Sequence, residues 1–172
     1  QCVQAMVPIE TRLGALESRL PLRVAEFQSQ NGRCRADAGE KQVARQMFDR
    51  SLEIRRGLKD EAGVAENMRD LAQLDVELGN ADAGARGYRA ALAHLQANGH
   101  ARHPLVIEIQ RSLALLYRNR GETDAALAAF QRARALSEDI HGPRHPLTQA
   151  LRRHIAAVQV DMGQLHEADE EL

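Results

Sequence analysis

Tryptophan is absent from this sequence of 172 residues, and aromatic side chains make up only 3% of it. Rings that could stack on bases are therefore scarce, and a formal net charge of -1 gives no excess of positive charge to meet a phosphate backbone, which argues against nucleic-acid binding. Valine, isoleucine and threonine are few beside alanine, leucine, glutamate, arginine and glutamine, a balance that favours helix over strand. The two cysteines, Cys2 and Cys34, are too few and too irregularly placed for a disulfide framework or a zinc site, and they predict a buried or free thiol. No apolar run approaches the roughly 18 residues of a membrane span, and no charged-then-apolar signal segment opens the chain. Membrane insertion is not expected; the cysteines leave the compartment open, with the cytoplasm favoured. The chain opens on Gln1 rather than Met, as expected of a processed product or a piece of a longer polypeptide.

The sequence does contain a repeat. The tetrapeptide RHPL stands at 102–105 and again at 144–147, 42 residues apart, and glycine returns at the same interval at Gly79, Gly121 and Gly163. Seven residues before these glycines are Ala72, Ala114 and Ala156, each preceded by a bulky aliphatic, Leu71, Leu113 or Ile155. Five residues after them are Gly84, Ala126 and Ala168, each followed four later by a large apolar side chain, Tyr88, Phe130 or Leu172. One period upstream, Gly39 is followed by Ala44 and Phe48. Segments with apolar residues at i, i+3, i+4 and i+7 on either side of a glycine describe a helix hairpin, because glycine ends a helix at positive φ with least strain. The small residues mark close approach of two backbones, and the ring four positions later fills the space beside them. RHPL marks the start of each hairpin, since proline is tolerated in the first helical turn where its missing N–H is an orphan anyway.

These residues resemble the tetratricopeptide repeats, with Ala44-x3-Phe48, Gly84-x3-Tyr88, Ala126-x3-Phe130 and Ala168-x3-Leu172 standing for that family's Ala-x3-Phe. A period of 42 instead of the usual 34, with HP at the hairpin start, is similar to the kinesin-light-chain type. The resemblance implies an all-α fold, a right-handed superhelical stack of antiparallel helix hairpins, in other words a TPR-like α-solenoid. The expected organisation is an N-terminal packing helix in 1–22, a first repeat at 23–59, then repeats at 60–101, 102–143 and 144–172. The first helix of the earliest repeat looks degenerate, with Asn31 in the aliphatic position and Gly32 at the small one. The second helix of the last repeat is cut short at Leu172, an expected exposed end that leaves self-association through it open.

No catalytic constellation is visible. There is no glycine-rich phosphate loop and no GxSxG, and HEADE from His166 lacks the second histidine that HExxH needs. Seven histidines do not form ligand spacing, since His103 and His145 belong to the RHPL start and His100 and His141 lie in the connections beside them. No cofactor, metal or enzymatic activity is expected. The informative column is Arg69, Arg111 and Arg153, again 42 residues apart. By resemblance, the first helices of such repeats line a concave groove, this position contacts ligand, and Gln73, Leu115, Arg118 and Asn119 are the further groove residues. Related repeats tend to carry asparagine there, so arginine replaces a backbone-reading amide with a fork that prefers carboxylates or phosphates. The bland alternative is pairing along each helix, since Glu66 and Glu108 stand three residues before Arg69 and Arg111, worth about 0.2–0.5 kcal/mol each. Helices packed at roughly 10 Å would repel through such arginines by only about 0.4 kcal/mol in water, so the row is tolerable without a ligand.

The expected function is a protein-interaction scaffold that binds a peptide or partner segment, an acidic one by the arginine row. The alternative is a regulatory segment of a larger signalling protein such as a kinase or transcriptional regulator. Both expectations rest on family resemblance more than on a site.

Overall fold

The computed structural model describes residue 17 and residues 19–170. The leading helix expected within 1–22 therefore lies almost wholly outside the described residues. Every element among those described is helical: α1 (Pro21–Asp37), α2 (Lys41–Leu58), α3 (Glu61–Glu77), α4 (Ala81–Ala97), α5 (Pro104–Asn119), α6 (Thr123–His141), α7 (Pro146–Asp161) and α8 (Leu165–Glu170). The fold class is thus all-α, of the helix-hairpin solenoid type. The chain divides into two compact units, residues 1–94 and 95–172, with the division inside α4.

Glycine ends the helices where the repeat places it. The α3 terminus shows why: Gly79, at φ 82°, donates its N–H to the Val76 carbonyl at 3.0 Å, and Asn80 donates to Asp75 at 2.8 Å. Two carbonyls that helix termination would orphan are satisfied in this way. The same pair of bonds closes α2, but there Lys59 occupies the left-handed position at φ 56° and ψ 35°, a conformation costly for a residue with a Cβ.

The RHPL starts are built by their histidines as much as by their prolines. His103 and His145 are the N-caps of α5 and α7, in extended conformation, and each ring Nδ1 accepts the N–H two residues on, from Leu105 and Leu147, at 3.2 Å. Pro104 and Pro146 then enter the first turn, where no N–H is required.

In the first unit the small residues do mark close approach. A Cβ on Gly32 would lie 2.6 Å from Cε1 of Phe48, and one on Gly87 would lie 2.7 Å from the Ala72 Cβ. Phe48 packs with Ala44 and Leu74 in one apolar cluster. The first helix of the earliest repeat is a complete helix, and its polar residues have a structural use. Ser29 and Ser51, fully buried, lie 2.8 Å apart, Ser51 donates to the Ala25 carbonyl at 2.7 Å, and Asn67 donates to the Phe48 carbonyl at 2.9 Å. This closed network joins α1, α2 and α3, and buried polar groups are tolerated only when satisfied in that manner. Cys34 corrects an expectation: it is buried and disulfide-bonded, not a thiol. A single bridge leaves no spacing pattern, so a count of cysteines could not reveal it.

The second unit has one apolar core. Ile107 and Ala114 of α5, Ala126, Ala129, Phe130 and Ala133 of α6, and Leu151, Ile155 and Val158 of α7 form it. Alanines on α6 let the neighbouring helices approach, and Phe130, fully buried, fills the gap. Ser137 and Thr148 share a buried hydrogen bond of 2.7 Å between α6 and α7, and Thr148 donates to the Gly142 carbonyl at the turn.

Candidate functional site

The three arginines of the 42-residue column meet different surroundings. In the first unit Arg69 is three-quarters covered, and its Nη2 lies 2.8 Å from Oδ1 of Asp70, which is 6% exposed. The i−3 neighbour Glu66 that the sequence suggested feels the charge of Arg69, and it is also held by Arg33 at 3.2 Å and by Arg55 at 2.9 Å, from α1 and α2. Arg33 also reaches Asp70 at 2.8 Å, so these charges interlock α1, α2 and α3.

Their titration follows from crowding. Burial pushes Glu66 upward, but Arg55, Arg33 and Arg69 together pull its carboxyl below the usual range. Burial of Asp70 outweighs Arg69 and Arg33 and holds its carboxyl above the usual range. The cluster needs Gly63 as well: a Cβ there would collide with the Arg55 guanidinium and with Asp60, whose side chain caps α3 by accepting the Gly63 N–H at 3.1 Å. Gln73 is taken up too, donating to Glu77 at 3.1 Å and accepting the Tyr88 hydroxyl at 2.6 Å.

In the second unit the column is open. Arg111 on α5 and Arg153 on α7 are exposed, and among the described residues neither has a carboxylate within ion-pair distance. Glu108 therefore does not neutralise Arg111. Arg118 is partly covered and paired across to α7, its Nε 2.9 Å from Oδ2 of Asp161. Leu115 packs against the apolar core, and Asn119 is exposed at the end of α5.

The same unit holds a residue that the arginine spacing does not single out. The His154 ring on α7 lies flat on Phe130 of α6, with centroids 5.0 Å apart and planes inclined by 5°. Burial first, and then Arg111, Arg118 and Arg153, hold its imidazole below the usual histidine range. The structure thus gathers Arg111, Arg118, Arg153 and His154 in one unit.

A readable pattern accounts for the contrast. The residue after each arginine of the column is Asp70, then Ser112, then His154. Where that neighbour is a carboxylate the arginine is neutralised, and where it is serine or histidine the arginine stays open. This second column, read at the same 42-residue interval, is the signal that separates Arg69 from Arg111 and Arg153. Among the described residues no group of three or more histidine, cysteine or acidic side chains is placed to hold a metal ion, and no helix among them is long and apolar enough to cross a membrane.

A family model described as tetratricopeptide repeat matches residues 105–172. No curated protein matches the chain. Among solved structures, BtubC (BKLC) from P. vanneervenii superposes with a TM-score of 0.89 at 18% identity, covering 99% of this chain and 69% of that one. A putative kinesin light chain of P. anserina with nearly identical TPR-like repeats gives 0.71 at 20% identity, over 98% of this chain and 83% of that one. The Rap conjugation gene regulator of plasmid pLS20, solved in complex with a peptide, gives 0.75 at 19% identity, over 99% and 46%. At such identities the likeness is one of fold.

Proposed function

We propose, from the match of residues 105–172 to the tetratricopeptide repeat model and the likeness of fold, that the chain is a tetratricopeptide-repeat scaffold for protein interaction rather than an enzyme, binding an acidic peptide or partner segment. The observation that carries the reading is the pair of exposed arginines, Arg111 and Arg153, left without carboxylates in the second unit while Arg69 is neutralised in the first. Two guanidinium forks on neighbouring helices suit carboxylate side chains of an extended ligand. Of the residues read as a groove, Arg111, Asn119 and Arg153 are the stronger candidates, since Arg118 is paired with Asp161 and Leu115 packs against the core. Arg69 and Gln73 are occupied within the protein. The likeness to a regulator solved with a peptide supports the choice of ligand, and because the chain spans 46% of that regulator, it also supports the reading as a regulatory segment of a larger protein.

A peptide-display selection tests this. Acidic sequences should be enriched, and Arg111→Glu with Arg153→Glu should weaken their binding about tenfold or more, roughly the loss of one good charged contact. Arg69→Glu should leave binding within about twofold. Equal enrichment on the wild type and the double variant would remove the acidic-ligand reading.

The cytoplasm is the proposed compartment, and Cys34 tests it. Disulfides persist mainly in oxidising compartments. When cells are quenched in acid and the protein is denatured in an alkylating agent, so that burial no longer protects it, an unmodified Cys34 would place the protein outside a reducing cytoplasm, whereas an alkylated Cys34 would support it.

A further inference from the structure

The chain has five asparagines, and the residue after each sets how its side-chain amide can react. Asn31 and Asn98 precede glycine, whereas Asn67, Asn80 and Asn119 precede methionine, alanine and arginine. A backbone nitrogen can attack the amide of the asparagine before it, most readily when its own residue has no Cβ to block the approach. The two Asn-Gly pairs lie in opposite surroundings. Asn31 and Gly32 are buried inside α1, where a Cβ on Gly32 would lie 2.6 Å from the Phe48 ring. Asn98 and Gly99 are both exposed, in the turn that follows α4. Asn80 and Asn119 are exposed too, but the residues after them carry side chains. Of the five, Asn98 alone combines exposure with a following glycine.

The backbone of that turn is also loosely held. Gly39, Gly79, Gly121 and Gly163 donate their N–H groups to the carbonyls three residues back at 3.0 Å, but Gly99 reaches Gln96 only at 3.3 Å, beyond the usual range for such a bond. Nothing lies within 4 Å of where a Gly99 Cβ would stand, so the turn has room for a ring to form. At Gly32 the helix and the Phe48 ring deny that room.

We propose that Asn98 is a self-modifying site, converted by Gly99 to aspartate and isoaspartate while the protein stays folded. The Gly99 nitrogen loses its proton to solvent base and bonds to Cγ of Asn98. The bond from Cγ to the side-chain nitrogen breaks, and that nitrogen leaves as ammonia. Water then opens the cyclic imide at either carbonyl, giving aspartate or isoaspartate. Water is consumed, ammonia is released, and nothing is oxidised or reduced. Both products bring a carboxylate to the C-terminal end of α4, the end at which the helix dipole is already negative. Isoaspartate also threads a side-chain carbon into the main chain, within the loop that the His100 N–H closes on the Leu95 carbonyl at 2.8 Å. Conversion therefore weakens the end of α4.

The test incubates the whole folded protein in mildly alkaline buffer and follows each asparagine by peptide mass spectrometry. Isoaspartate is detected with an isoaspartate-specific carboxyl methyltransferase. Asn98 should convert at least about tenfold faster than Asn31, Asn80 or Asn119, a decade for each ~1.4 kcal/mol by which opening and attack are easier. Denaturant should bring Asn31 up to the rate of Asn98 and leave Asn80 and Asn119 slow. Conversion should accelerate as pH rises, because the attacking nitrogen must lose a proton. Asn98→Gln should hold its thermal unfolding midpoint through an incubation in which the midpoint of the wild type falls.

Conversion of Asn98 no faster than that of Asn80 or Asn119 in the folded protein would overturn the site. So would an Asn31 that reacts as fast as Asn98 without denaturant. Equal loss of midpoint in the wild type and in Asn98→Gln would overturn the weakening of α4.

Discussion

Replacing Gly32 and Gly57 by alanine should change stability in opposite directions, although both glycines lie inside helices. On an otherwise free helix the substitution gains up to about 1 kcal/mol, because alanine loses less backbone freedom on folding. Gly57 is exposed near the end of α2, and a Cβ there meets nothing within 4 Å, so Gly57→Ala should gain about 0.4–1 kcal/mol. At Gly32 the same Cβ would lie 2.6 and 2.8 Å from two ring carbons of Phe48, about an ångström inside the usual 3.5–4.0 Å carbon contact. Phe48 is 2% exposed, so its ring has no room to withdraw. Overpacking of this kind costs about 1–3 kcal/mol, which leaves Gly32→Ala neutral to about 2 kcal/mol destabilised after the helical gain. Urea unfolding midpoints followed by helical circular dichroism measure both variants. A double variant with Phe48→Leu should be less destabilised than the two single changes summed, by about 1 kcal/mol, because the shorter side chain vacates the contested space. If Gly32→Ala stabilised the protein as Gly57→Ala does, the close approach of α1 to Phe48 would be refuted.

Further expectations concern caps and charge. Lys59→Gly should raise the melting temperature modestly, by relieving a left-handed residue that costs about 1–2 kcal/mol, part of which the greater freedom of glycine in the unfolded chain offsets; a lower melting temperature would contradict it. His145→Ala should cost about 1 kcal/mol by losing the ring acceptor at the start of α7, whereas His145→Asn should retain most of the stability. Equal losses in the two variants, read by thermal unfolding, would mean that the capping bond is unimportant. His154 binds its proton less readily in the folded protein than in the unfolded chain, so the unfolded state binds more protons just below the ordinary value of 6.5. Its contribution to stability is therefore complete above that pH and is lost as pH falls from it through the folded value; His154→Gln should flatten this part of the stability profile, and an unchanged slope would show that another group is responsible.

Much of the architecture was legible because it is set by local physics repeated at a fixed interval. Gly79, Gly121 and Gly163 read as helix ends and are left-handed helix ends. The columns of Ala44, Gly84 and Ala126 with Phe48, Tyr88 and Phe130 read as close contacts and fillers, and all six are buried. RHPL read as a helix start, with the ring acceptor of the histidine as the unanticipated part. The candidate site was less legible. Arg69 was one of three equivalent arginines by spacing, yet Asp70 neutralises it, and that pairing runs between adjacent residues that helical spacing rules do not bring together.

By itself the sequence determined the helix hairpins, their ends and their apolar fillers, because a glycine's positive φ, a proline's missing N–H and the 3.6-residue period act within a few residues of chain. Tertiary structure alone decided the electrostatics. Glu66 meets Arg33 and Arg55 from two other helices as well as the charge of Arg69 on its own. His154 came to rest on Phe130, where burial and the charges of Arg111, Arg118 and Arg153 disfavour its proton. Such choices depend on which side chains from different helices arrive at the same place and on how much water remains between them, and neither quantity is written in the spacing of one chain.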